Sequence, residues 1–98
     1  MRMSKQPAVY LLASKRKGTR YIGVTSDLIT RTWEHKNDSG EGFTKRYRVH
    51  RLVYDEWHAD RESAIRREKQ MKKWNRGWKR ELIEKQNQDW RDVWEGIL

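Results

Sequence analysis

Residues 8–24 read AVYLLASKRKGTRYIGV, two short apolar runs on either side of a basic turn. Both runs are rich in strand-forming side chains, and Gly18 supplies the glycine that a tight hairpin favours, so we expect the runs to pair antiparallel. Such pairing brings Tyr10 and Tyr21 onto one small sheet. Tyrosines in half-buried strands are also ordinary packing residues, and this segment alone leaves both interpretations open.

The composition suits a single small domain, residues 1–98, with an anionic partner. The 98 residues have room for one modest core, and the lack of cysteine excludes disulfides and thiolate metal sites. No apolar run approaches the roughly 18 to 20 residues of a membrane span, and the start of the chain lacks the apolar segment of a secretory signal, so we expect a cytoplasmic protein that does not bind membranes. The net charge is +9, and residues 61–85 hold ten basic and four acidic side chains. This pattern predicts a basic face that binds nucleic acid, with a merely solvated face or an anionic membrane surface as alternatives.

Local signals predict an α+β domain, with a three-stranded antiparallel sheet flanked by helices in the order β-β-α-β-α-α. Residues 25–27 offer capping side chains for the first helix, and Asp60 offers one for the second. Residues 38–46 contain glycine and are expected to form a loop. We expect the main motifs within about residues 7–85 and a helical tail over residues 86–98. The predicted strands are residues 8–13, 20–24 and 51–57, and the three helices of this order are residues 28–36, 61–74 and 78–85, with a break at 75–77. A further helix over residues 89–95 is expected in the tail.

Basic side chains, and a threonine beside two of them, are the candidates for phosphate contact. The six tryptophans could stack on bases, although such residues more often anchor a small core. The candidate nucleic-acid-binding residues are Lys17, Thr44, Lys45, Arg46, Lys72, Lys73 and Arg76.

A carboxylate falls on the apolar face of the second predicted helix. At about 100° per residue, Glu68 lies within the arc formed by Ala64, Ile65 and Met71. Burial of an unpaired charge is costly, so Glu68 needs a basic partner, a hydrogen-bond network or a metal ion.

The first predicted helix offers complementary groups. Arg31 and His35 are four residues apart and flank Leu28, whose apolar side chain must face the sheet. If they meet Glu68 and the two tyrosines, the chain has a carboxylate for a divalent cation, a guanidinium for a phosphate, and phenols or an imidazole for proton transfer. These are the parts of a phosphodiester hydrolase.

In these segments the sequence resembles the GIY-YIG nuclease superfamily, and more closely its small single-domain branch (URI-type, UPF0213-like). Val9-Tyr10 stands where the family has Ile-Tyr, and Tyr21-Ile22-Gly23 is the second motif intact. Ala8-Val9 in place of Gly-Ile is a departure that removes no reacting atom.

The resemblance extends to the helices. Arg31 follows the second tyrosine by ten positions, as the family's arginine does. His35 falls where some members have a histidine, and Glu68 matches the metal-binding glutamate. The family's later asparagine matches Asn75 weakly, because its usual spacing from the glutamate is longer, and Asn87 is the alternative.

The resemblance implies a metal-dependent DNA endonuclease in which Glu68 holds one Mg²⁺ or Mn²⁺. Tyr10 is the preferred base, and Tyr21 places the water or shares the relay. Arg31 stabilises the transition state, and His35 assists proton transfer. We expect low intrinsic sequence specificity, with DNA shape or a protein partner supplying selectivity, because a basic face grips phosphates without reading bases. A non-catalytic DNA- or RNA-binding module on the same fold is the alternative, and a protein-interaction domain is a third.

Overall fold

The computed structural model describes residues 6–37 and 46–98, and it has the predicted α+β architecture. Three strands form one antiparallel sheet, and helices pack on both of its faces. Every helix in these two ranges is too short or too polar to span a membrane. In chain order the elements are β1 Ala8–Ala13, β2 Arg20–Thr25, α1 Leu28–Lys36, β3 Arg51–Trp57, α2 Arg61–Lys72, α3 Arg76–Gln86 and α4 Trp94–Ile97.

The central strand of the sheet is β1. It pairs antiparallel with β2 on one side and β3 on the other, in the order β2-β1-β3. All of β1 is buried, whereas β2 is only partly buried at Arg20 and Tyr21. Within the described residues β2 is therefore an edge strand, and the side chains of Arg20 and Tyr21 are partly exposed.

The turn between β1 and β2 differs from the prediction in how it uses its glycine. Lys17, and not Gly18, has a positive φ, of 59°. Gly18 is required for space instead, since a Cβ there would lie 2.5 Å from the hydroxyl oxygen of Ser14. The amide of Ser14 donates to the carbonyl of Thr19 at 2.9 Å and closes the hairpin.

The alternation of side chains along β1 divides the core into two clusters, one on each face of the sheet. Val9 and Leu11 point towards α2 and α3, on what we call the α2 face. Tyr10 and Leu12 point towards α1 and α4, on the α1 face. The buried members are Val9, Leu11, Ala13, Ile22, Val53, Tyr54, Ala64, Met71, Ile83 and Trp90 on the α2 face, and Ala8, Tyr10, Leu12, Leu28, Val49, Leu52 and Ile97 on the α1 face.

Aspartates begin the first two helices, as predicted. Oδ1 of Asp27 accepts from the amide of Thr30 at 3.3 Å, and Oδ1 of Asp60 accepts from the amide of Ser63 at 2.8 Å. Each bond satisfies an amide that has no partner within its own helix. The predicted extension of α2 to residue 74 is wrong, because the helix ends at Lys72.

The predicted break at residues 75–77 is the beginning of a helix. Oδ1 of Asn75 accepts from the amide of Trp78 at 2.9 Å and caps α3, which begins at Arg76 and not at residue 78. A glycine in the first turn is compatible with a helix that is capped in this way.

The helix predicted over residues 89–95, and with it the helical tail, is wrong, since only α4 is helical there. Trp90 has a φ of 56°, which an α-helix does not allow, and its buried indole donates to the Glu84 carboxylate at 2.8 Å. The carboxylate of Asp92 accepts from the Leu52 amide of β3 at 3.2 Å. These long-range contacts hold the segment against the sheet and override its local helical signal.

Candidate active site

Two tyrosines meet on the α1 face of the sheet. The register places Tyr10 opposite Gly23 and Leu12 opposite Tyr21, so both phenols project to the same side. Their ring centroids are 6.3 Å apart, with the planes tilted by 42°. A Cβ at Gly23 would come 2.3 Å from the Tyr10 hydroxyl. Gly23, two residues after Tyr21, therefore makes room for the ring of Tyr10.

His35 joins the two phenols from α1. Its side chain is fully buried, and Nε2 lies 3.2 Å from the hydroxyl oxygen of Tyr10. The imidazole centroid is 6.0 Å from the Tyr10 ring and 5.4 Å from the Tyr21 ring. A hydrogen bond between a phenol and an imidazole is suited to proton transfer.

Arg31 supplies a positive charge next to the phenols. Burial works to lower the pKa of Arg31, but hydrogen bonds and charge interactions with Tyr10 and Tyr21 outweigh this effect and raise the pKa. Nη1 also pairs with the Glu34 carboxylate at 3.5 Å, and the Arg31 side chain is 31% exposed. The guanidinium thus contacts both phenols and remains accessible to a ligand.

Glu68 lies on α2, on the other side of the edge strand. Its side chain is 11% exposed, and Oε2 pairs with Nζ of Lys72 at 2.8 Å. Lys72 in turn lines an open depression of about 370 Å³, which we call the edge groove. The edge groove lies between β2, which contributes Tyr21, and the helices α2 and α3, which contribute Lys72 and Lys79. Its lining residues are Arg20, Tyr21, Ile22, Lys72 and Lys79.

The structure therefore brings four of the five predicted catalytic and metal-binding residues together on one face. The fifth, Glu68, lies on α2, and its partner Lys72 lines the edge groove together with Tyr21.

The donor set suits Mg²⁺ or Mn²⁺ better than a metal that needs many protein ligands. Within residues 6–37 and 46–98, no three His, Cys, Asp or Glu side chains are grouped to hold an ion. A single carboxylate such as Glu68 fits Mg²⁺, which keeps several of its waters and uses one or two protein oxygens. The ammonium of Lys72 already pairs with this carboxylate, so a cation must compete with it.

The structure describes five of the seven predicted nucleic-acid residues, and all five are exposed. Thr44 and Lys45 lie outside the described residues. Lys17, Arg46 and Lys73 are exposed. Lys72 and Arg76 are also exposed, and each of them lines a depression beside β2.

Both candidate asparagines have structural contacts. Oδ1 of Asn75 is engaged in capping α3. Asn87 donates to the Val53 carbonyl at 3.1 Å and to the Arg91 carbonyl at 2.7 Å, which holds the C-terminal segment to β3.

Arg20 and Lys79 also line the edge groove, and neither was among the site residues predicted from the sequence. A signal was available for Arg20, because it directly precedes Tyr21 in a partly exposed strand. Lys79 belongs to a stretch that resembles the family's single-domain branch, but nothing local assigns it to the site, since its position depends on how α3 meets the hairpin.

The tryptophans divide between core and surface. Trp90 is fully buried, as expected for a core anchor, whereas Trp33 and Trp78 are 51% and 56% exposed. Exposed indoles of this kind are the candidates for stacking on bases.

Known proteins resemble this chain over most of its length. The GIY-YIG catalytic domain matches residues 6–81. The UPF0213 protein SERP0126 of Staphylococcus epidermidis is 33% identical over 67 residues, which are 68% of this chain and 82% of that protein. The UPF0213 protein SSP2268 of Staphylococcus saprophyticus is 33% identical over 75 residues, which are 76% of this chain and 90% of that protein.

A solved structure is also similar. The solution NMR structure of the UPF0213 protein BH0048 from Bacillus halodurans is 26% identical and has a TM-score of 0.56, covering 90% of this chain and 93% of that chain. The similarity agrees with the mixed α+β fold described above.

Proposed function

Because this chain belongs to the GIY-YIG catalytic domain family, we propose that it is a divalent-metal-dependent endonuclease that hydrolyses phosphodiester bonds in DNA. The observation that carries the proposal is the buried contact of 3.2 Å between the Tyr10 hydroxyl and Nε2 of His35. Arg31 and Tyr21 complete this group on the same face. A phenol, an imidazole and a guanidinium held together in this way are suited to water activation beside a phosphate.

Tyr10 and His35 form the base. When Tyr10 passes its proton to Nε2 of His35, its oxygen can accept a proton from the attacking water. The charged Arg31 favours the phenolate during this transfer. Tyr10 is 1% exposed, whereas Tyr21 lines the edge groove, so we assign Tyr21 to placing the water that reaches the base.

Arg31 also stabilises the negative charge that develops on the phosphate oxygens. Its guanidinium is charged, 31% exposed and held beside the two phenols. A preorganised donor of this kind is typically worth about 3 to 4 kcal/mol of transition-state stabilisation.

Glu68 is the residue that would hold Mg²⁺ or Mn²⁺. The bound cation would neutralise phosphate charge and polarise the bond to be broken. Two observations support this role: Glu68 is a largely buried carboxylate on α2, and its partner Lys72 lines the edge groove, where a phosphate has access to it.

The decisive experiment is cleavage of nicked or branched DNA with Mg²⁺ or Mn²⁺. We expect the wild type to cut, Glu68→Ala to lose activity by about 100-fold or more, and Glu62→Ala, which removes an exposed carboxylate on the same helix, to cut normally. The proposed endonuclease activity would be refuted if the wild type did not cut, or if Glu68→Ala cut as well as the wild type.

A non-catalytic nucleic-acid-binding module is the second candidate. The pairing of Lys72 with Glu68 at 2.8 Å favours it, because that ion pair occupies the carboxylate that the metal needs. The module would bind DNA or RNA and leave it intact.

Either candidate holds nucleic acid mainly through phosphates, and both predict strong salt dependence. Contact with about six phosphates gives a log-log salt slope near −5, so a slope near zero would exclude both. We propose low sequence specificity, with DNA shape or a partner protein directing the enzyme to its target.

A further inference from the structure

Three cations line a second depression beside the edge groove. Arg20 comes from β2, and Arg76 and Lys79 come from α3. Together with Gly18 and Thr19 of the hairpin they enclose about 290 Å³, which we call the hairpin pocket. Among the described residues, none of the three cations forms an ion pair with a carboxylate.

Arg20 is held in place by contacts other than an ion pair. Nη1 donates to the carbonyl of Arg76 at 3.2 Å, and the guanidinium lies 4.8 Å above the centroid of the Trp90 ring. Nε is buried without a hydrogen-bond partner within residues 6–37 and 46–98. The side chain is therefore positioned before any ligand arrives.

The cations of this region repel one another. Burial, followed by the charges of Arg76 and Arg80, lowers the pKa of Arg20, and Glu84 works in the opposite direction. Burial, followed by the charges of Arg20 and Arg76, lowers the pKa of Lys79. A bound anion would relieve this repulsion.

We propose that Arg20, Arg76 and Lys79 form a binding subsite for a backbone phosphate of the nucleic acid, next to the phosphate at the catalytic face. The identity of the substrate rests on the proposed function. The subsite positions the strand and takes no part in proton transfer.

Continuity of the two depressions favours a polymer as the ligand. Arg20 and Lys79 line both the hairpin pocket and the edge groove. The edge groove continues to Tyr21 and Lys72. One chain of phosphates can therefore pass along the edge of β2, from the hairpin turn towards the second phenol, with cations along its path.

The experiment measures binding separately from cleavage. A fluorescein-labelled nicked duplex is titrated with proteins that all contain Glu68→Ala, without metal, and the Kd is measured by anisotropy at several salt concentrations. We expect Arg20→Gln and Lys79→Gln each to weaken binding about tenfold and to reduce the magnitude of the salt slope by about 1.

Lys85→Gln is the matched control. It removes one exposed cation from the last turn of α3, away from the hairpin, and we expect it to change the Kd less than about twofold. Arg20→Gln also removes the contact with Trp90, so Lys79→Gln decides the result. Equal effects of Lys79→Gln and Lys85→Gln would overturn the subsite.

Two further measurements distinguish failure of the phosphate subsite from failure of the proposed endonuclease activity. In the background with Glu68 intact, Lys79→Gln should raise KM for nicked DNA and leave kcat within about twofold. If the wild type binds DNA through Lys79 but never cuts it, the phosphate subsite is supported and the proposed endonuclease activity is refuted. The second measurement compares free phosphate with DNA. If inorganic phosphate raises the melting temperature of the wild type but not of Lys79→Gln, the pocket binds free phosphate. If the Kd for DNA is at the same time unchanged by Lys79→Gln, the subsite for a backbone phosphate is refuted.

Discussion

The phenol of Tyr10 covers Gly23 on the neighbouring strand so closely that a Cβ at Gly23 would come 2.3 Å from both Cζ and the hydroxyl oxygen. The two residues face each other in the β1–β2 register. This contact explains why the second motif contains a glycine: the ring of Tyr10 occupies the space that a larger side chain at Gly23 would need. The two motifs, which are separate in sequence, therefore build one site.

Gly23→Ala should displace the Tyr10 ring. The overlap forces a rotamer or backbone shift, so we expect a loss of about 1 to 3 kcal/mol in the free energy of unfolding, measured by urea denaturation. Gly96→Ala is the control, since a Cβ there meets nothing within 4 Å; it should be neutral or slightly stabilising. A fully stable Gly23→Ala variant with wild-type cleavage would contradict the role given to this contact.

Tyr10→Phe should retain the fold and lose activity. Removal of the hydroxyl deletes the 3.2 Å contact with His35 and the oxygen that accepts the water's proton. We expect a loss of about 10² to 10⁴ in kcat, measured on nicked DNA with Mg²⁺ or Mn²⁺. Tyr54→Phe removes a buried phenol hydroxyl from the opposite face of the sheet, and it should retain kcat.

Lys72→Gln should strengthen binding of the metal. Its ammonium is 2.8 Å from Glu68, so a cation no longer has to displace it. Titration calorimetry with Mn²⁺ in the absence of DNA should show a lower Kd than for the wild type. Lys69→Gln, an exposed charge loss on the same helix, is the control, and equal Mn²⁺ affinity of the two variants would show that Lys72 does not compete.

Glu56 should make the fold sensitive to acid. Burial works to raise its pKa, but hydrogen bonds from Tyr54, His58 and Arg67 outweigh burial and lower it. The distances are 2.6 Å to the Tyr54 hydroxyl, 2.6 Å to Nε2 of His58 and 3.0 Å to Nε of Arg67. Because the folded-state pKa is depressed, the stabilisation is fully present above the ordinary glutamate pKa of about 4.3 and is lost as the pH falls through the lower folded value.

Glu56→Gln should therefore flatten the acid limb of the stability profile. We expect the variant to be about 1 kcal/mol less stable near neutral pH, after allowance for solvent screening, with the difference shrinking at low pH. Urea denaturation across the acid range measures it. Glu62→Gln, at an exposed position, should reproduce the wild-type profile, and a parallel shift of Glu56→Gln at every pH would contradict the linkage.

Strong local signals were sufficient for much of the fold. The bounds of β1, α1 and β3 follow from the apolar pattern and the Asp27 cap, and they agree with the structure. Local signals did not predict the first turn of α3, because Asn75 acts as its cap. They also did not predict the C-terminal segment, because Trp90 is buried there in a left-handed backbone conformation.

For the site, sequence alone determined which residue types are present and the spacing that associates Tyr10, Tyr21, Arg31, His35 and Glu68 with one family. Tertiary structure decided the rest. It placed His35 against Tyr10 on one face and Glu68 beyond the edge strand, and it brought Arg20 to Arg76 and Lys79 across more than half of the chain. The physical reason is that periodicity and capping act over a few residues, whereas neighbours across a sheet edge depend on how whole elements pack.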